Sequence, residues 1–199
     1  MSTADDTAPD PGWMQPLRKG PWVLIPVIGL RLLSRTDDGT TTSLERLRQI
    51  FISYLVGLVG ILLVGIAVTG GGAEDAEPAL SSGQAFGLNI VVGVLALGAI
   101  VAIRRRTPTC GDDETLINGY SSRFLVSVVL ALLPVLAAFV GSLLAQSPAP
   151  MLGGAVISFF WLLVVAPTAT DLAAVQQRLD AAGCDRSLTG ALASPVPGA

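Results

Sequence analysis

The chain contains no histidine and only two cysteines among its 199 residues. It therefore lacks the side chain that most often serves as a general base near neutral pH. Two thiols without a histidine cannot complete a tetrahedral zinc site. Neither a Gly-x-Ser-x-Gly elbow nor a phosphate-binding glycine loop occurs in the sequence. These absences predict a protein that is not an enzyme, with no catalytic residue, no metal site and no bound cofactor.

Charge is also absent from four long apolar stretches. These are residues 50–68, 86–103, 124–145 and 152–169. About 20 mostly apolar residues cross the ~30 Å hydrocarbon core of a bilayer, and the mean hydropathy of the chain is +0.66. The last stretch reaches that length only if its helix continues through Pro167. The sequence predicts an all-α fold, a four-helix transmembrane bundle whose two hairpins resemble a tandem repeat, with the lipid bilayer as partner.

Lysine and arginine are missing from two of the segments between these spans, Thr69–Ala85 and Gln146–Met151. The basic residues closest to the spans lie at their other ends: Arg46, Arg48, Arg104, Arg105, Arg106 and Arg123. Because Lys/Arg bias in short loops sets orientation, these arginines are expected to mark the inner face, with both termini in the cytoplasm. A composition rich in Ala, Gly, Val, Leu and Arg is typical of high-GC bacteria, so we expect a multi-pass protein of the inner (plasma) membrane. No nucleic-acid partner is expected.

Polar extensions flank the predicted membrane domain of residues 43–173. Residues 1–14 are rich in Asp, Pro and small polar types and are expected to be disordered. Residues 15–42 form a cytoplasmic or interfacial segment, in which Trp22–Leu33 is too short to span. This stretch either lies at the interface, as an interfacial or re-entrant segment, or packs on the helix ends. Residues 174–199 are predicted to form a cytoplasmic helix and tail, which either docks a partner or folds back on its own cytoplasmic loops.

Several residues indicate where helices begin and end. Thr42 and Glu45 have the spacing of a capping box. Asp112 and the two acidic residues after it suit a helix start, where the dipole favours negative charge. Gly183 is typical of a helix stop, and Asp185 is expected to cap a last short helix.

Three further side chains lie on the side predicted to be cytoplasmic. Cys110 and Cys184 are both in a compartment where thiols are kept reduced, so no disulfide is expected. Asp171 is the one carboxylate close to the inner end of the fourth span. It either pairs with Arg123 or the arginines at 104–106, or is a simple interfacial charge, which contributes little.

A stripe of small residues runs along the third span. It comprises Ser127, Ala131, Pro134, Ala138, Gly141 and Ala145, in steps of four, three, four, three and four. Such a face lets another helix backbone approach closely. A related stripe in the first span comprises Ser53, Gly57, Gly60, Val64 and Ala67. Packing within one subunit is expected for at least one stripe, and the other could form a homo-oligomer seam. Pro134 is also expected to kink its helix or leave a carbonyl unbonded.

The stretch from Ser122 to Leu144 resembles the carboxylate-bearing helix of rotary ATPase proteolipids, the c-type subunits. The resemblance lies in Leu130-Ala131-Leu132-Leu133-Pro134 and Ala138-Phe139-Val140-Gly141. It implies a hairpin shape of the kind that assembles into rings. The family's mid-membrane Glu or Asp has no counterpart, since Leu132 and Leu133 occupy that neighbourhood. The resemblance therefore implies shape and no proton transport.

With packing faces and no catalytic constellation, the sequence favours a structural or accessory role in a membrane assembly. Its partner would be either a second copy or another membrane protein. The alternative is a small transporter or channel subunit that acts as an oligomer. That role would require a water-lined seam near Asn89, Ser127 and Ser158, because polar groups inside membrane helices mark transport paths.

Overall fold

The computed structural model describes residues 42–70, 78–106 and 109–193. These residues form six α-helices and no strand: α1 Ser43–Gly70, α2 Ser82–Arg105, α3 Asp113–Ala145, α4 Ala149–Val165, α5 Ala169–Ala181 and α6 Leu188–Ala193. The predicted all-α class is therefore confirmed. The predictions for residues 1–41 lie outside the described residues.

Three helices, α1, α2 and α3, are long and apolar enough to cross a membrane. The number is four if α4 and α5, which are bent at the break between them, count as one span. The helices are thus compatible with a transmembrane protein of the predicted kind.

Side-chain caps fix the predicted starts of two helices. Thr42 Oγ1 accepts a hydrogen bond from the backbone N–H of Glu45 at 3.3 Å, and α1 begins at the next residue, Ser43. Asp112 Oδ1 accepts one from the N–H of Thr115 at 2.9 Å, directly before α3. Both bonds satisfy N–H groups that have no partner within the first turn. The two predicted starts are confirmed.

The predicted end of α5 is also confirmed. Gly183 has a φ of +79° and follows the helix, and its N–H donates to the carbonyl of Asp180 at 2.9 Å. A residue without Cβ takes this left-handed conformation at little cost, which is why glycine commonly ends helices.

Two other helix boundaries were predicted wrongly. The fourth apolar stretch does not continue as one helix to residue 169, because α4 ends at Val165 and Ala166 is extended. A proline disfavours helical geometry in the residue before it, and Thr168 then caps α5 by accepting from the N–H of Asp171 at 3.3 Å. At α6, Ser187 Oγ accepts from the N–H of Gly190 at 3.1 Å. Ser187 caps this helix in place of Asp185 because it directly precedes the first turn.

The chain divides into two compact units. The first, the polar unit, contains the described parts of residues 1–53, 106–124 and 167–199. The second, the apolar unit, contains the described parts of residues 54–105 and 125–166.

Large apolar side chains cover the outside of the apolar unit. Val94, Leu95 and Phe160 are 62%, 68% and 57% exposed, whereas its fully buried residues include Asn89 and Ser158. A soluble protein rarely exposes so many large apolar residues together. This distribution is the one expected where the surrounding solvent is hydrocarbon.

Candidate functional site

The small-residue stripe of α3 lies inside the apolar unit. Its six residues are all buried: Ser127, Ala131, Pro134, Ala138, Gly141 and Ala145. At the crossing with α4, a Cβ added to Gly154 would lie 2.7 Å from the carbonyl oxygen of Pro134 and would overlap the Cβ of Ala138. At the crossing with α2, a Cβ added to Gly141 would lie 3.3 Å from the Cβ of Ala85. The α3 backbone is therefore packed closely on two neighbours of the same chain.

The stripe predicted on α1 behaves differently. Gly60 is exposed and an added Cβ would meet nothing within 4 Å, and Val64 is 55% exposed. The close contact of this helix is made by Gly65, where an added Cβ would lie 2.8 Å from Cε of Met151. Gly65 is one position away from the predicted stripe. The contacting face of α1 is thus rotated from the one that the spacing of small residues indicated.

A hydrogen bond from the backbone of α3 to a side chain of α4 links the two helices at the internal proline of α3. The N–H of Val135, the residue after Pro134, donates to Ser158 Oγ at 3.0 Å. Proline has no N–H and its ring pushes away the carbonyl one turn earlier, so the helix ladder is disturbed here. In an apolar interior an unsatisfied N–H is costly, and a serine from a neighbouring helix is one of the groups that satisfy it.

Asn89 joins α2 to the start of α4. Its side chain is fully buried, and Nδ2 donates to the carbonyl of Pro150 at 3.0 Å. Oδ1 of Asn89 has no hydrogen-bond partner among the described residues, and neither has the fully buried hydroxyl of Ser142. Leaving a buried acceptor unsatisfied costs about 1–3 kcal/mol. Trp161 Nε1 of the same unit is also buried and has no hydrogen-bond partner among the described residues.

In the polar unit, Asp171 has a specific partner. Tyr120 Oη donates to its Oδ2 at 3.1 Å. From the sequence, Asp171 was expected either to pair with an arginine or to be a simple interfacial charge. The tyrosine partner was not predicted. The hydrogen bond holds the start of α5 against the first half of α3.

Gln176 ties the end of the described chain to α5. Its Nε2 donates to Asp180 Oδ1 at 2.7 Å and to the carbonyl of Arg186 at 3.1 Å. Its Oε1 accepts from the N–H of Leu188 at 2.7 Å, at the start of α6. Arg186 also forms an ion pair with Asp113 at 3.4 Å. Since both ion-pair partners are exposed, that pair contributes little on its own.

Cys110 and Cys184 form a disulfide, so the expectation of two free thiols was wrong. The S–S distance is 2.08 Å. The two Cα atoms are 5.8 Å apart, a separation within the range that a disulfide requires. The expectation rested on compartment alone, whereas the fold brings together two residues 74 positions apart. With the Tyr120–Asp171 bond, the disulfide fastens the tail to the connection before α3. The described part of the tail, up to residue 193, thus folds back on its own chain.

The predicted topology arginines occupy different environments. Arg104 Nη1 donates to the carbonyl of Val164 at the end of α4. Arg46, Arg105 and Arg106 are exposed, and Arg123 is half-buried. Arg48 is 1% exposed and is therefore enclosed within the polar unit. The buried guanidinium of Arg48 therefore contributes to the packing of the polar unit, in addition to any effect on the orientation of the chain in a membrane.

Within residues 42–70, 78–106 and 109–193, no group of three His, Cys, Asp or Glu side chains is placed to hold a metal ion. No family model matches the chain, and no curated protein or solved structure matches it either. The buried polar contacts of this chain are therefore the features that bear on its function.

Proposed function

We propose that this protein is a four-span integral membrane protein with a structural or accessory role in a membrane assembly. Both termini lie in the cytoplasm, and the membrane is the bacterial plasma membrane. The observation that carries the proposal is the use of the buried polar groups. Ser158 and Asn89 each bond the backbone of a neighbouring helix, at 3.0 Å in both cases. Side chains used in this way position helices and leave few polar atoms to bind a solute.

The packing of the apolar unit supports the same role. Asn89, Ser127 and Ser158, the residues that a water-lined seam would need, are all at most 2% exposed. Gly154 brings α4 into backbone contact with α3 at the level of Pro134. A rigid, closed interior of this kind presents a fixed outer surface to a second membrane protein.

The test is gentle extraction of the tagged protein with its lipids, followed by native mass spectrometry and reconstitution. An accessory role predicts a stoichiometric complex with a different membrane protein. It also predicts that the partner's activity falls when this chain is omitted from the vesicles. Extraction as a monomer or homo-oligomer, with no second protein bound, would contradict the proposal. A partner that is fully active without this chain would also contradict it.

A transport role is the second candidate, and the unpartnered Oδ1 of Asn89 and Oγ of Ser142 favour it. Acceptors enclosed in an apolar interior are typical of solute or ion paths. This candidate requires an oligomer, of which the ring implied by the proteolipid resemblance is one form. It predicts flux through vesicles containing this chain alone, lost on changing Asn89, Ser127 and Ser158 to Ala. The accessory role predicts no such flux.

A further inference from the structure

A groove runs along the outer surface of α4 in the apolar unit. It has a volume of about 490 Å³ and is lined by Val156, Ile157, Phe160, Trp161, Leu163 and Val164. The lining is almost wholly apolar. Over this length α4 rises about 12 Å, which is enough for part of an acyl chain to lie along it.

The floor of the groove depends on a glycine of α2. A Cβ added to Gly93 would lie 3.0 Å from Cγ2 of Ile157 and 3.7 Å from Nε1 of Trp161. Because Gly93 has no side chain, Ile157 and Trp161 settle onto the α2 backbone. The outer walls stay open, with Val156 and Phe160 56% and 57% exposed. The depression is therefore built by the pairing of two helices.

One end of this groove is positively charged. Arg104 reaches from α2 to donate to the carbonyl of Val164, which is the last residue of the lining. Arg105 follows it and is exposed. No carboxylate lies among the lining residues. An apolar groove that ends at the Arg104 guanidinium, with a second arginine next to it in sequence, matches a lipid with an acyl chain at one end and an anion at the other.

We propose that this groove binds one acyl chain of an anionic phospholipid, with its phosphate held by Arg104 and Arg105. The proposal rests on the membrane location given under the proposed function. Arginine suits the phosphate because its planar fork donates two parallel hydrogen bonds. A zwitterionic lipid is held less well, since its own ammonium group offsets the phosphate charge. The occupant is thus selected by its headgroup, and the groove fixes the path of its chain.

The experiment uses Trp161 as the reporter. Changing Trp13 and Trp22 to Phe leaves it as the only tryptophan of the full chain. The protein is reconstituted in phosphatidylcholine vesicles with a small fraction of lipid brominated on its acyl chains, either phosphatidylglycerol or phosphatidylcholine. At equal mole fraction we expect brominated phosphatidylglycerol to quench Trp161 roughly threefold more effectively than brominated phosphatidylcholine. This ratio is the preference that the free energy of one exposed ion pair gives.

Two variants test the role of the arginines. Arg105→Gln removes an exposed charge and leaves the Arg104 bond to α4 in place, so folding is preserved. We expect it to reduce the excess quenching by phosphatidylglycerol, and the Arg104→Gln, Arg105→Gln pair to abolish it. Arg46→Gln is the matched control, because Arg46 is exposed but belongs to the polar unit, and it should leave the excess unchanged.

The possible results distinguish a failure of this proposal from a failure of the proposed membrane location. Equal quenching by both brominated lipids would overturn the headgroup selection while leaving α4 in the bilayer. If phosphatidylglycerol still quenches Trp161 more strongly after both arginines are replaced, their role as the phosphate site is overturned. Quenching by neither lipid would show that α4 does not lie in the membrane, which would overturn both proposals.

Discussion

The backbone N–H of Val135 donates to the hydroxyl of Ser158 on the neighbouring helix, 3.0 Å away. Pro134 disturbs the helix at this point, and the serine supplies an acceptor there. Ser158→Ala is expected to lower the free energy of unfolding by about 0.6 kcal/mol, the mean for hydrogen bonds between membrane helices, and by no more than about 1.7 kcal/mol, the largest such value. Thermal or denaturant unfolding in detergent or lipid measures the change.

The Pro134→Ala background is the matched control for this bond. Alanine lets α3 close its own backbone ladder, so the serine becomes less important. The cost of Ser158→Ala should therefore shrink in this background, and a double-mutant cycle gives the difference. An equal cost in both backgrounds would show that Ser158 stabilises the fold independently of the proline.

Gly154 and Gly60 provide a pair of identical substitutions with different expected outcomes. Gly154→Ala places a methyl group 2.7 Å from the carbonyl oxygen of Pro134, which is backbone and yields little. Gly60→Ala meets nothing within 4 Å. We expect Gly154→Ala to destabilise by about 1–3 kcal/mol, as overpacking does. Gly60→Ala should be neutral or slightly stabilising because alanine favours helix.

Folded yield and thermal stability of the two glycine variants, compared in the same detergent, check this prediction. Similar losses for both would mean that the exposed face of α1 is covered in the protein's working form, as in the homo-oligomer seam considered from the sequence. Unchanged stability of Gly154→Ala would contradict the α3–α4 crossing.

The disulfide gives a prediction about thiol reactivity. Without reductant, neither Cys110 nor Cys184 should react with a maleimide in the denatured chain, and both should react after reduction. Cys184→Ser should leave one reactive thiol at Cys110. Mass measurement of the labelled protein counts the added groups, and two labels without reductant would show that the bond is absent.

The orientation proposed from the arginines is checked by a new cysteine at Ala79, an exposed residue shortly before α2. In a chain with Cys110 and Cys184 changed to Ser, an impermeant thiol reagent should label Ala79→Cys on intact cells. The same reagent should label a cysteine at Thr109 only after the cells are opened. The reverse pattern would place the arginine-rich face outside, where disulfides persist.

Asp112 gives a prediction about pH. The hydroxyl of Thr115, and then its N–H, donate to the carboxylate and hold the pKa of Asp112 below its ordinary value. The cap therefore stabilises α3 above the ordinary aspartate pKa of about 3.9, and this stabilisation is lost as pH falls through the lowered folded value. Thr115→Val should raise the pKa of Asp112 towards the ordinary value, whereas Thr115→Ser should keep it low. NMR titration of the side-chain carboxyl carbon measures both.

The features that sequence predicted well are local. The caps at Thr42 and Asp112 and the stop at Gly183 depend on a few neighbouring residues whose chemistry is readable without the fold. The apolar spans follow from length and composition in the same way. The stripe on α3 was readable because its spacing repeats along one helix face.

The features that sequence missed depend on how helices pair and rotate. Ser158 lies 23 residues from Val135, and nothing in its neighbourhood indicates a bond to a backbone N–H. On α1 the close contact is made by Gly65 and not by Gly60, and five residues place these two glycines about 140° apart around the helix. The break after Val165 had a local signal in Pro167, but the uncharged residues that follow it obscured the end of the helix.

The disulfide closes residues 110–184 into a covalent ring that contains all of α3, α4 and α5. The bond can form only after Cys184 has been synthesised and brought beside Cys110. A protease that cuts the short connection between α3 and α4 would open this ring without separating the two fragments. The chain would migrate as one molecule until a reductant is added, so its gel pattern after such a cut records whether the ring was complete.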